Sequence, residues 1–262
     1  MSAVELLDLR DEARAAMPAL PELPHVRELH RAAQGTWLGR MVNEHASSSV
    51  FVALAEQLDR ANVDASIVRA CAGFAVEERR HGVACGAVVE ALGGQARASV
   101  PERPEFPRHV DVDRREAALR NALSVCCLSE TVAVALISAE REEMDPGPLR
   151  DLLTSIWSDE IGHARFGWSL LSTHAPDFDA ATRARLGAYL GVAFAHVERH
   201  ELLHLPSSAT PPREGRALGL CNGAAARALF YDTITEAIVP RLESLGLDAR
   251  RAWDERGAVC RA

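Results

Sequence analysis

Lysine is absent from this chain, and all 29 of its basic residues are arginine. A mechanism through a lysine Schiff base is therefore excluded. Tyrosine is scarce as well: Tyr189 and Tyr231 are the two in 262 residues, and aromatics make up 5% of the chain. Few aromatics beside abundant Ala, Leu, Arg and Glu favour helix over sheet. The six cysteines (Cys71, Cys85, Cys126, Cys127, Cys221 and Cys260) include no Cys-x-x-Cys. That removes rubredoxin-like and zinc-ribbon sites and the thioredoxin motif. No stretch reaches the roughly 20 uncharged apolar residues expected of a membrane span. The start, Met-Ser-Ala-Val-Glu-Leu-Leu-Asp-Leu-Arg, is too acidic and its apolar run too short for a signal peptide. A net charge of −8 offers no basic face to a nucleic acid. These absences point to a cytoplasmic protein with reduced thiols and no membrane or nucleic-acid partner.

What remains is helical. Residues 3–18 read as a short amphipathic helix stopped by Pro18, Pro21 and Pro24. A long helix follows from about His25 to Arg60, and a turn at Asn62 leads to a second, capped by Asp64 and running to Ala91 before Gly93-Gly94. Gln95 to Val110 holds Pro101, Pro104 and Pro107 and reads as a long connection between two helical hairpins. A third helix is expected from about Asp113 to Glu143. The fourth starts at Pro146 behind Asp145 and runs to about Thr173. The fifth starts at Asp177 or Asp179 and reaches Leu205, with loop over 206–216. The sixth covers about Leu218 to Leu245, with Pro240 placed to bend or break it, and a short helix follows from Asp248. No strand-like alternation is visible. The expected fold is all-α and the expected organisation a single domain: 1–24 as N-terminal helix and linker, 25–175 as a four-helix bundle, and 176–262 as accessory helices packed on it.

Two stretches carry the chemistry. Phe74-Ala-Val-Glu-Glu-Arg-Arg-His81 and Ser158-Asp-Glu-Ile-Gly-His163 each contain Glu-x-x-His on a helix. Positions i and i+3 share a helix face, so a carboxylate and an imidazole can converge on one metal ion. The spacing occurs four times. Glu22/His25 spans Pro24, and Glu201/His204 has no lone Glu on the helix before it. Only Glu78/His81 and Glu160/His163 have a Glu at a matching distance upstream, namely Glu44 and Glu130. Each leg of the second hairpin, between those acids and the turn, is about 14 residues or roughly 20 Å, so Glu130 and Glu160 finish level. In the first hairpin the legs differ by only about one helical turn. The four acids sit among Met41, Phe74, Leu123, Val125, Leu128, Ile156 and Trp157. A carboxylate in such company costs several kcal/mol unless it is paired or bound to a cation.

This pattern resembles the ferritin-like di-iron carboxylate superfamily over residues 26–175, in its oxygenase and oxidase branch. The resemblance implies a ferritin-like four-helix bundle with additional C-terminal helices. It implies that Glu44, Glu78, His81, Glu130, Glu160 and His163 bind two Fe ions, with Mn or a mixed Mn/Fe pair as the other possibility. An acid precedes each paired Glu, giving Glu77-Glu78-x-Arg80-His81 and Asp159-Glu160-x-x-His163. This is similar to the motif of bacterial multicomponent hydroxylases, so Glu77 and Asp159 are expected to orient the metal-bound imidazoles, with Arg80 beside them. Gly162 stands where the second motif would have Arg, so only half of that network can form. Ser48, one turn after Glu44, is expected to hydrogen-bond a ligand or bound oxygen.

The implied activity is O2 activation to hydroxylate, desaturate or N-oxygenate a small organic substrate. Electrons would come from a separate ferredoxin or flavin reductase, and a homodimer is compatible with the chain. Ferroxidase or iron-binding chemistry and di-manganese catalase-like peroxide dismutation are the alternatives. Trp37, Met41, Ser48, Phe74, Cys85, Cys126 and Trp157 lie a turn or two from the ligands and read as pocket lining or core. With Tyr189 and Tyr231 both outside the ligand helices, a tyrosyl radical beside the metals is not expected. His45 points roughly 100° away from Glu44. His196, His200 and His204, four apart on the fifth helix, form a stripe that could bind a third metal or face solvent.

Overall fold

The computed structural model describes residues 4–17, 27–101 and 105–259. In chain order the elements are β1 (Val4–Asp8), α1 (Arg10–Ala15), α2 (Arg27–Arg60), α3 (Ala65–Ala91), β2 (Arg97–Pro101), α4 (Arg114–Ala122), α5 (Glu130–Glu143), α6 (Pro148–His174), α7 (Ala180–His204), α8 (Gly223–Asp232), α9 (Val239–Ser244) and α10 (Ala249–Val259). Apart from β1 and β2, the described residues form helices and the turns between them. The architecture is all-α, as the composition implies.

The helix starts follow local chemistry. Asp64 accepts from the Ser66 amide, Asp113 from those of Arg115 and Glu116, and Asp179 from that of Thr182. Each satisfies amide donors that a first helical turn leaves without partners. Gly93, at φ +80°, turns the chain after α3 in the left-handed region that glycine adopts freely.

Several expectations need correction. Residues 4–8 form a strand, and the connection after α3 contains its partner: β1 and β2 pair antiparallel, with Leu6 opposite Ser99. Among the described residues of the expected N-terminal helix, only Arg10–Ala15 is helical. The strand alternates sides, with Leu7 buried and Leu6 half exposed, but the segment is so short that its partner decides its conformation. The fourth helix starts at Pro148, two residues later than expected, and the sixth starts at Gly223 behind Asn222, with a 3₁₀ turn over Arg213–Leu218 before it. The expected helix start at His25 and the three prolines before it lie outside the described residues.

Two helices are widened. Between α4 and α5 the chain makes a π-helical segment, Leu123–Ser129, and between α8 and α9 another, Thr233–Ile238. In the first, the Ser129 hydroxyl donates to the Ser124 carbonyl at 3.4 Å. The second precedes Pro240, which has no N–H to give the carbonyl of Glu236 and whose ring excludes it. The expected disturbance at Pro240 is thus a widened turn upstream of it.

The chain divides into two compact units. The first comprises 1–107, 140–156 and 211–221, and the second 108–139, 157–210 and 222–262, so the division falls inside α5 and α6. In the first unit α2 and α3 pack as a hairpin around Trp37, Met41, Phe51, Leu54, Leu58, Cys71 and Cys85, all fully or almost fully buried. Gly86 of α3 lets Met41, Ala13 and Ala96 close over it. The second unit has a continuous core from Leu123, Leu128, Trp168, Leu190, Phe194, Phe230, Ile234 and Trp253. The α4–α5 stretch, Arg114–Glu143, is long and apolar enough to cross a membrane by length and composition. Its Leu123, Cys127, Leu128 and Val132 belong to that core.

Candidate metal centre

In the first unit, Glu44 stands on α2 and Glu78 and His81 on α3. Glu78 is 1% exposed and His81 2%, so the i, i+3 pair points into the protein. One ligand atom from each of the three residues lies within 4.8 Å of the other two. His81 Nδ1 is 3.6 Å from Glu44 Oε2. The close approach of the helices explains this reach. A Cβ at Gly82, next to His81, would sit 3.4 Å from both the Met41 carbonyl oxygen and the His45 backbone nitrogen. The His45 backbone therefore meets α3 at Gly82.

The second unit repeats the arrangement. Glu130 is the first residue of α5, directly after the π-helical segment, and α6 carries Glu160 and His163. Their exposures are 7%, 3% and 0%, and again one ligand atom from each lies within 4.8 Å of the others. His163 Nδ1 is 2.9 Å from Glu160 Oε2 and 4.0 Å from Glu130 Oε2. Here too a glycine brings the helices together: Gly167, one turn after His163, lies against Cys126 of the widened segment. π-Helical turns inside helices often sit at functional sites, and this one ends at the acid that completes the triad.

Carboxylate oxygens and imidazole nitrogens are a donor set for iron, manganese or zinc. The chain treats its other buried acids differently. Glu116 is bound by Arg120 and Arg185, and Glu140 by Arg40. In the triads the acids lie against imidazole and one another, an arrangement that a bound cation would stabilise. The residues present therefore fit a metal.

No protein-family model matches the chain, and no curated protein sequence does. Its structure is nevertheless similar to the solved structure of protein 19 with aldehyde deformylating oxidase activity from Synechococcus. The TM-score is 0.56 at 18% identity, over 98% of this chain and 100% of that one. The fold is ferritin-like.

Within that fold the remaining sequence candidates fall as follows. Glu77 and Asp159 are half-buried beside Glu78 and Glu160, and Arg80 is exposed on α3. Gly162 has open space where a side chain would stand. The Ser48 hydroxyl donates to the Ala75 carbonyl at 2.9 Å, so its proton links α2 to α3 and is not offered to a ligand. Trp37 is fully buried and donates its indole N–H to Leu218 O at 2.9 Å. Phe74 packs edge-on against Phe51. Burial, with the Glu44 carboxylate adding its charge, pushes the Cys85 thiol well above its ordinary range. Tyr189 and Tyr231 lie on α7 and α8, neither of which carries any of the six candidates.

Sequence reasoning missed the pair of half-buried Arg40 and buried Glu140. Arg40 stands one turn before Glu44, with its guanidinium over the Trp37 ring at 5.4 Å. Glu140 is 8% exposed. Gly219, at φ +76°, closes the 3₁₀ turn over them, because a side chain there would meet Glu140 Oε1 and the Trp37 ring. No spacing rule relates residues 100 positions apart.

Proposed function

We propose that this protein is a non-haem di-iron oxidase or oxygenase that activates O2 for the oxidation of a small organic substrate. The observation that carries the reading is the repeated triad: Glu44, Glu78 and His81 in one unit, and Glu130, Glu160 and His163 in the other, all buried except the partly exposed Glu44. Each triad would hold one iron ion, two per chain, with 25–175 proposed as the bundle and 176–262 as accessory helices of the same domain. Bound iron would supply the two-electron reduction of O2 that protein side chains cannot perform. The chain's own part is to hold the ions with four carboxylates and two imidazoles. The Glu160 carboxylate, 2.9 Å from His163 Nδ1, also fixes that ring. Half-buried Glu77 and Asp159 would orient the imidazoles, and the surrounding apolar side chains would exclude water.

The aldehyde deformylating oxidase activity of the structural neighbour agrees with an O2-linked reaction on an organic carbonyl compound, so aldehydes are the first substrates to test. Electrons would come from a separate ferredoxin or flavin reductase, since among the described residues no metal-ligating cluster of three or more His, Cys, Asp or Glu stands apart from the two that contain the triads. The free thiols of Cys71, Cys85, Cys126, Cys127 and Cys221 suit a cytoplasmic setting, and the acidic charge suits no nucleic acid.

Elemental analysis after growth with both iron and manganese tests the metal, and O2 consumption by the reduced protein with and without an aldehyde tests the reaction. Two irons per chain and aldehyde-dependent O2 uptake are expected. Manganese with peroxide dismutation would replace this reading by a catalase-like one. Iron oxidised far beyond two per chain would make it a ferroxidase.

A further inference from the structure

Helix α7 carries no residue of the triads, yet it presents His196, His200 and His204 on one exposed side, each one turn from the next. We propose that this face holds a separate site for one divalent cation of the zinc or copper class, chelated by His200 and His204. The site lies wholly within the second unit and is independent of the di-iron reading.

Four observations favour that pair and that ligand. Imidazole is the side chain best suited to these cations, and residues four apart on a helix can reach one ion between them. The rings of His200 and His204 are 5.0 Å apart with planes inclined by 56°. Inclined rings can aim their in-plane lone pairs at a common point. His196 and His200 are 6.4 Å apart and nearly parallel, at 25°, and lone pairs in stacked planes do not meet. His196 and His204 are separated by about 12 Å of helix rise and cannot share an ion.

The fourth observation concerns Glu201. Its Oε1 lies 3.2 Å from His200 Nδ1. With the proton on Nδ1, the carboxylate accepts it, fixes the tautomer and leaves Nε2 as the free donor. Carboxylate-held histidines of this kind are the usual second layer of a metal site. Water would complete the coordination, since the His200 side chain is 47% exposed.

The test is calorimetric titration of Zn2+ into the full-length protein carrying whatever metal it was purified with, with elemental analysis before and after. One Zn2+ per chain should bind without displacing the resident metal. His200→Ala and His204→Ala should each weaken it by about tenfold or more, and Glu201→Gln by about 10–100-fold. His196→Ala should leave it unchanged. With Cu2+ as the probe, the electron paramagnetic resonance spectrum should show two nitrogen couplings, falling to one in either single histidine variant. Unchanged Zn2+ affinity in His200→Ala or His204→Ala would overturn the assignment, as would an equal loss in His196→Ala. So would Zn2+ uptake that occurs only with release of the resident metal. Circular dichroism of each variant guards against loss of fold.

Discussion

A Cβ on Gly167 would overlap the Cβ of Cys126 and stand 3.1 Å from its carbonyl carbon. The widened segment Leu123–Ser129 and helix α6 therefore touch nearly backbone to backbone, one turn from His163. Gly167→Ala gains about 1 kcal/mol in helix propensity. It also forces a methyl group into a filled space, which costs about 1–3 kcal/mol. Overlap with backbone, which cannot swing aside, makes the second term the larger. Thermal denaturation should show a lower midpoint for Gly167→Ala, whereas Gly162→Ala, which has open space at its Cβ, should be neutral or stabilising.

The triads make a second prediction. Glu130→Ala or His163→Ala should abolish binding of at least one metal ion while leaving the far-ultraviolet circular dichroism largely unchanged. Elemental analysis reads the first and spectroscopy the second. Full metal retention in both variants would sink the metal-centre assignment.

Arg40 and Glu140 supply a third. Removing one partner of a buried ion pair leaves the other charge uncompensated, at a cost of about 3–5 kcal/mol. Arg40→Ala should show that loss in urea denaturation. Replacing both residues with leucine should recover most of it, because an apolar pair leaves no buried charge. A double variant as unstable as Arg40→Ala would mean that packing against Trp37, not charge, is what Arg40 contributes.

Glu198 sets a pH dependence. Arg256 grips both its oxygens at 2.8 Å, and the Tyr231 hydroxyl donates to it at 3.0 Å. The Arg256 hydrogen bonds, despite opposing desolvation, lower its pKa below the ordinary carboxylate range, and Tyr231 adds to the shift. A depressed folded-state pKa gives stability that is present above the unfolded value, about 4.3, and is lost as pH falls through the folded one. Glu198→Gln should therefore lower stability at pH 7 by on the order of 1–3 kcal/mol. The difference from the parent should shrink below about pH 4. Denaturant titrations at both pH values would measure it, and a difference independent of pH would refute it.

How much of this was readable beforehand depends on sequence distance. Glu78 with His81 and Glu160 with His163 are three apart on helices, so local geometry alone makes neighbours of them. The caps Asp64, Asp113 and Asp179 act within two or three residues of themselves and were equally legible. Strand Val4–Asp8 was not, because its conformation is decided by a partner more than 90 residues later. Arg40 and Glu140 are separated by 100 positions and carry no pattern of their own. The π-helical segment was hidden for another reason: the apolar run from Leu123 to Leu128 fits a helix of either width.

That segment bears on how relatives of this chain are to be recognised. A π-helical turn uses more residues than an α-helical turn to make the same advance, so a related protein with an ordinary helix there would be shorter at a point inside the element. Alignments that forbid gaps within helices would then put Glu130 out of step with its counterpart while keeping Glu160 and His163 in step. A comparison that allows a small insertion between Leu123 and Ser129 would restore all three at once.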